Sequence, residues 1–151
     1  MEACFKGHLS IVQLLIEKID KINFTDHEGN TSFVWSCIGG NIAIVNLLIY
    51  TGIDIDRANV DGITALMRAC SGKHLEIVRL LIEKGVQINI ADSEGRTPFY
   101  WACSGGNIDI VNLLIDKKCD NQIHKHVKKT PVMVACENGH LPIVQLLTER
   151  C

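Results

Sequence analysis

The sequence predicts an all-α solenoid, in which helix-turn-helix units with a period of 33, joined by β-turn or hairpin loops, stack into one array over 1–151. Three observations carry this. Cys4, Cys37, Cys70, Cys103 and Cys136 recur at steps of 33, and Leu-Leu pairs beginning at Leu14, Leu47, Leu80, Leu113 and Leu146 keep the same step. The phrase WSCIGGNIAIVNLLI at 35–49 returns two steps later as WACSGGNIDIVNLLI at 101–115. A repeat period between about 20 and 50 residues is the mark of a stacked array, because one small unit cannot bury its own apolar face.

Each element of the unit follows from local chemistry. Thr31 suits the N-cap of a short helix over 32–38, and Pro98 and Pro131 stand at the first helical position in two later copies. Gly40 and its equivalents Gly7, Gly106 and Gly139 end that helix. A second helix follows, with Ile44, Val45, Leu47 and Leu48 gathered on one face by their offsets of 0, 1, 3 and 4, as are Ile110, Val111, Leu113 and Leu114. Gly52 and Gly85 suit a left-handed residue after this helix. The links then lead to Asp26-His27-Glu28-Gly29 and Asp92-Ser93-Glu94-Gly95, which read as tight turns. The expected array is a partial unit at 1–25, full units at 26–58, 59–91 and 92–124, and a last unit at 125–151 that stops after its second helix. The units alternate: the residue leading the second helix runs His8, Asn41, His74, Asn107, His140.

The stretch 92–115, DSEGRTPFYWACSGGNIDIVNLLI, resembles the ankyrin-repeat pattern D-x-x-G-x-T-P-L-H-x-A-A-x-x-G-H-x-x-(I/V)-V-x-L-L-(L/I), and the resemblance covers the whole chain. The sequence departs from the family in two places. Val34, Met67, Tyr100 and Met133 replace the histidine after T-P-L, so the hydrogen bond it makes between turns must be absent or supplied differently. The fifth unit reads KHVKK where the others have a turn, with Lys128 in the place of glycine, so a looser turn is expected there.

Composition excludes several classes. A formal charge of -2 and a pI near 6.3 provide no cationic field for nucleic acid. Apolar runs such as IVNLLI fall far short of the roughly 20 residues of a membrane span, and MEACFKGHLS shows no basic-then-apolar leader. An unexported chain in the cytoplasm, or also in the nucleus, is the expectation. The pairs Cys4/His8, Cys70/His74 and Cys136/His140 have a C-x-x-x-H spacing, but a helix break falls between their members, and the cysteines occupy the family's small-residue slot. They read as free, buried thiols. Cys119, His124 and His126 form C-x4-H-x-H without an evident fourth ligand, so neither a metal nor any other cofactor is expected, and a metal or redox sensor is the weakest alternative. The run HKHVKK at 124–129 reads as a solvated basic turn, or as a surface for an acidic segment. There is no P-loop, nucleophile elbow or H-E-x-x-H helix. The chain reads as non-catalytic.

Trp35, Arg68, Trp101 and Val134 share one position on the first helix of their units. Two readings of this row stand: burial against the neighbouring helix, or a Trp-Arg-Trp cation-π ladder that anchors a partner. The ankyrin resemblance implies a scaffold that binds a partner protein through turn tips and the concave helix row. The positions it implies are His27, Glu28, Asn30, Trp35 and Ile38; Val60, Asp61, Ile63, Arg68 and Ser71; Ser93, Glu94, Arg96, Trp101 and Ser104; and His126, Val127 and Lys129. It also implies Asn23 and Asn89 as candidate acceptors for an asparagine hydroxylase, each eight residues after Leu15 or Leu81. No nucleic acid, small-molecule substrate or membrane insertion is expected. Two alternatives stay within the family: a recruitment region of a larger channel, kinase or ubiquitin-ligase subunit, favoured because Met1 falls inside a unit, and a proteasome-assembly chaperone, since WAC is similar to a stretch in gankyrin.

Overall fold

A computed structural model describes residues 1–18, 24–119 and 129–149 of the chain. Among these, ten α-helices follow one another: α1 (Glu2–Phe5), α2 (Leu9–Lys18), α3 (Ser32–Ile38), α4 (Ile42–Tyr50), α5 (Ala65–Ser71), α6 (Leu75–Glu83), α7 (Pro98–Gly105), α8 (Ile108–Asp116), α9 (Pro131–Glu137) and α10 (Leu141–Glu149). The described strand pairing is a single isolated bridge, Thr25 to Thr31. The odd-numbered helices pack side by side in one row and the even-numbered helices in a second, each helix also packing on its hairpin partner.

Capping sets where the first helices start. Thr31, Thr64 and Thr130 accept hydrogen bonds from the backbone N–H of Val34, Met67 and Met133 at 3.3, 3.4 and 3.2 Å. Thr97 holds the same extended backbone without the side-chain bond, and Pro98 starts its helix with φ already set. Between the two rows lies the core, where Val45, Val78 and Val111 stack with Leu48, Leu81 and Leu114 and with Cys37, Cys70 and Cys103, all buried. Each large apolar side chain so buried contributes about 1.5–3 kcal/mol, and for most of them the burying surface belongs to a neighbouring hairpin.

The paired glycines of the repeated phrase have separate tasks. A Cβ on Gly105 would lie 2.6 Å from the Cys70 carbonyl oxygen, and one on Gly39 would collide with the Phe5 carbonyl; the first glycine of each pair lets its hairpin close on the one before. Gly40 has φ +72, and a Cβ there would lie 2.5 Å from Cε1 of His74; Gly106 faces the His140 ring in the same way. The second glycine therefore leaves room for an imidazole from the hairpin after. That imidazole hydrogen-bonds back: His74 Nε2 to the Ile38 carbonyl and His140 Nε2 to the Ser104 carbonyl, both at 3.1 Å. A carbonyl partner selects the tautomer with its proton on Nε2.

The two asparagines at the head of the second helix behave differently from each other. Asn41 reaches over Gly7 to the Cys4 and Phe5 carbonyls at 2.9 and 2.8 Å. In the unit before Asn107, the place of that glycine is taken by Lys73, which holds φ 64 with a side chain attached. Asn107 caps its own helix instead, accepting from the N–H of Asp109 and Ile110.

The turns are also linked without the family's histidine. Val60 N–H donates to the Glu28 carbonyl and Ser93 N–H to the Asp61 carbonyl, at 3.0 and 2.8 Å. Asn59 Nδ2 donates to Asn30 Oδ1 at 3.1 Å. The tie expected to be absent or replaced is replaced. One expectation needs correction. Cys136 is exposed, unlike Cys4, Cys37, Cys70 and Cys103, and among the described residues no hairpin packs on the far side of α9 and α10.

Candidate functional site

The row of odd-numbered helices places Trp35, Arg68 and Trp101 at one position of α3, α5 and α7, all half-buried. Each tryptophan is anchored by an aspartate nine residues earlier, at the start of its own turn. Trp35 Nε1 donates to Asp26 Oδ2 at 2.8 Å and Trp101 Nε1 to Asp92 Oδ2 at 3.1 Å. The same carboxylates organise the turns. Asp92 Oδ1 accepts from the N–H of Glu94 and Arg96, and Asp26 Oδ1 from the N–H of Glu28 and Asn30. Burial alone would push the Asp26 carboxyl up; the hydrogen bonds from Asn30, Trp35 and Glu28 together outweigh it and hold the group below the usual carboxylate value.

Between the two tryptophans the pattern changes. Asn59 stands where the flanking turns have aspartate; its Oδ1 accepts from the N–H of Asp61 and Ile63, and its Nδ2 is engaged with Asn30. Among the described residues no side-chain carboxylate pairs with Arg68, whose Nε is buried without a hydrogen-bond partner. The cation-π ladder through Arg68 is thereby corrected. The guanidinium over the Trp101 ring, 4.6 Å from its centroid, belongs to Arg96, which also pairs with Asp92 Oδ2 at 2.8 Å and Glu94 at 3.3 Å. Trp35 instead meets the edge of Phe5, with ring centroids 5.7 Å apart. Neither simple reading of the row is complete: the indoles are half-buried and held within their own hairpins, and the Arg68 Nε is left unpaired between them.

The other expected contact positions divide. His27, Glu28, Val60, Asp61, Ser93, Glu94 and Lys129 are exposed, and Ile38, Ser71, Ser104 and Arg96 are half-buried. Asn30 and Ile63 are corrections: both are buried, the first as a turn-to-turn link and the second as turn packing, so neither side chain is open to a partner. Lys129 pairs with Glu137 at 2.8 Å. Asn89 is exposed on the link after α6. Asn23, His124, His126, Val127 and Lys128 lie outside the described residues. Cys119, expected in a loop beside the histidines, is buried. Among the described residues no group of three or more His, Cys, Asp or Glu side chains could hold a metal ion, and no helix is long and apolar enough to cross a membrane.

Sequence reasoning missed Asp26, Asp92 and Asn59 as parts of this site. A signal was available: the turn residue and the residue nine later change together within the chain, as Asp26 with Trp35, Asn59 with Arg68, and Asp92 with Trp101.

Stacked helical hairpins whose turns are linked by backbone bonds fit one family, and the model described as "Ankyrin repeats (3 copies)" matches residues 1–92, 44–125 and 89–151. The chain belongs to the ankyrin-repeat family. Ankyrin repeats are in general protein-protein interaction modules, typically without catalysis. A search of curated proteins found no match to this ankyrin chain.

Proposed function

We propose that this array is a non-catalytic scaffold that binds a partner protein on its row of odd-numbered helices, with Arg68 at the centre and the turn tips as the rim. One observation carries the reading: a guanidinium with a buried, unpartnered Nε, set between two tryptophans whose own polar atoms are already satisfied. A buried donor without an acceptor costs about 1–3 kcal/mol. The residue as a whole is half-buried, so a partner's carboxylate would meet the outward part of the guanidinium and not the enclosed Nε, and a guanidinium can donate two parallel bonds to a carboxylate. Trp35 and Trp101 add rigid apolar area on either side, with Ile38, Ser71 and Ser104 extending the surface one turn on. At the rim, His27, Glu28, Val60, Asp61, Ser93, Glu94 and Lys129 set orientation and encounter rate more than affinity. The same reading extends to His126 and Val127, which lie outside the described residues.

The test is a pull-down with mass spectrometry using wild-type protein, Arg68→Ala and Glu94→Ala, with melting temperatures measured in parallel. The expected result is a protein captured by wild type and Glu94→Ala but lost with Arg68→Ala at unchanged melting temperature. Equal capture by all three would reject Arg68 as the centre.

A further inference from the structure

The middle of the array carries an aromatic ring, a cation and a second aromatic ring at one even step. Trp35, Arg68 and Trp101 stand 33 residues apart, one on each of three successively packed helices, α3, α5 and α7. Packed helices lie about 8–10 Å apart, so the row repeats at about that spacing over roughly 16–20 Å. Both indoles are half-buried and give their N–H to an aspartate of their own turn, which leaves apolar ring surface for a partner. Between them stands Arg68 with its Nε unpaired. The charges around it are otherwise acidic: Arg96 is already paired with Asp92 and Glu94, and Glu28 and Asp61 are exposed at the other two turn tips. Ser71 and Ser104, half-buried, set hydroxyls beside the row, each three residues after Arg68 or Trp101.

We propose that the partner meets this row with a polyproline II segment of pattern Pro-x-x-Glu-x-x-Pro, its glutamate on Arg68 and a proline on each tryptophan; this rests on the row being the binding surface. The spacing selects the conformation. A β-strand returns a side chain to the same face after about 6.6 Å and then about 13 Å, on either side of the step. Seven residues of α-helix, two turns, advance about 10.5 Å, beyond it. Polyproline II has three residues per turn and rises about 3.1 Å for each, so every third side chain shares a face at about 9.3 Å. Its backbone makes no internal hydrogen bonds, and its carbonyls accept from the Ser71 and Ser104 hydroxyls. Proline suits the two flanking positions because its ring is apolar and its fixed φ lowers the cost of ordering the segment. A carboxylate is favoured over a phosphate because a single guanidinium faces it, and a second negative charge would meet only the acidic turn tips.

The test is a titration of the full chain with a synthetic peptide containing Pro-Pro-Ala-Glu-Ala-Pro-Pro. Trp35 and Trp101 are the chain's two tryptophans, so their emission reports binding directly. The expected result is a saturable change, weakened at least about tenfold by glutamine in place of the peptide's glutamate or by Arg68→Met in the protein, with no further loss when both are changed. Arg68→Met keeps an unbranched apolar stem and removes the unpaired donor, and its melting temperature, measured in parallel, verifies that it folds. Lengthening or shortening both spacers by one residue should also weaken binding at least about tenfold. No saturable change, equal binding at all three spacings, or tighter binding with phosphoserine in place of the glutamate would each overturn the proposal. So would tighter binding by an α-helical peptide that carries the same three residues seven apart. A peptide that fails while Arg68→Ala still loses the captured partner overturns the polyproline II pattern and leaves the row as the binding surface; a partner captured equally by Arg68→Ala removes both.

Discussion

Replacing Gly40 with alanine tests the interlock between hairpins, and Gly52→Ala provides the matched control. Both glycines have similar positive φ, +72 and +76, so each alanine carries the same cost of about 1–2 kcal/mol for a left-handed residue with a Cβ. They differ in what the new methyl meets. At Gly52 there is nothing within 4 Å, whereas at Gly40 the methyl lies 2.5 and 2.7 Å from Cε1 and Nδ1 of His74. The ring must move, and its bond to the Ile38 carbonyl, worth about 0.5–1.5 kcal/mol, is lost. Gly40→Ala is therefore expected to destabilise by about 1.5–3.5 kcal/mol and Gly52→Ala by about 1–2. Urea unfolding followed by circular dichroism measures both. In the double variant Gly40→Ala/His74→Ala the contact is already gone, so Gly40→Ala in that background should cost no more than Gly52→Ala does in wild type. Equal losses for the two single glycine variants would refute the idea that Gly40 exists to admit the His74 ring.

Three further outcomes follow from the same structure. Burial pushes the Cys37 and Cys103 thiols up to about 12 and raises Cys70 as well, so native iodoacetamide labelling at pH 8 should modify exposed Cys136 at least about 100-fold faster than any of them; comparable rates would refute the packing of that row. The Asp26 carboxyl is held below its unfolded value, so the stability it adds is fully present above that unfolded value, near 4, and is lost as pH falls through the lower folded value. The gap in urea midpoint between wild type and Asp26→Asn should accordingly be wide at pH 7 and close toward pH 3, and a gap independent of pH would contradict the hydrogen-bond network. Trp101→Phe keeps a ring under Arg96 but removes the donor to Asp92, and it should cost about 1.5–3 kcal/mol, read as a lower melting temperature; a cost below about 0.5 would mean that the indole bond is not holding the turn.

The hairpins, their caps and the buried row of thiols were legible in the sequence because each is a local rule repeated at one step. Thr31, Thr64 and Thr130 cap as their place before each helix implies, and Gly52 and Gly85 take the left-handed backbone expected of them. The site was less legible, because its pairings cross between turn and helix. Register pairs Arg68 with Trp101, one repeat away at the same helical position, while the nearer competitor Arg96 reaches that ring from the turn of the same hairpin. Asn30 and Ile63 sit in turn loops, yet their side chains point into the stack, a direction that depends on where the next turn lies. Cys136 shows the converse limit. Its residue type and register match four buried thiols, but burial is conferred by a neighbour, and register alone does not contain one.

The direction in which hairpins hold one another bears on how the chain acquires its shape during synthesis. Asn41, His74 and His140 all reach backward, each gripping a carbonyl of a hairpin already made. As the chain leaves the ribosome, a hairpin emerges with its glycine space open and is secured only when the whole of the following repeat has appeared. At translation rates of about 5–20 residues per second, that wait lasts about 2–7 s. During that interval the newest hairpin's Ile and Leu row already rests on the finished array behind it, while its forward side, the row of Met67 and Cys70 for example, stays uncovered. The nascent array thus advances with one fresh apolar edge at a time, always at the growing end, and that edge is where a chaperone would find it.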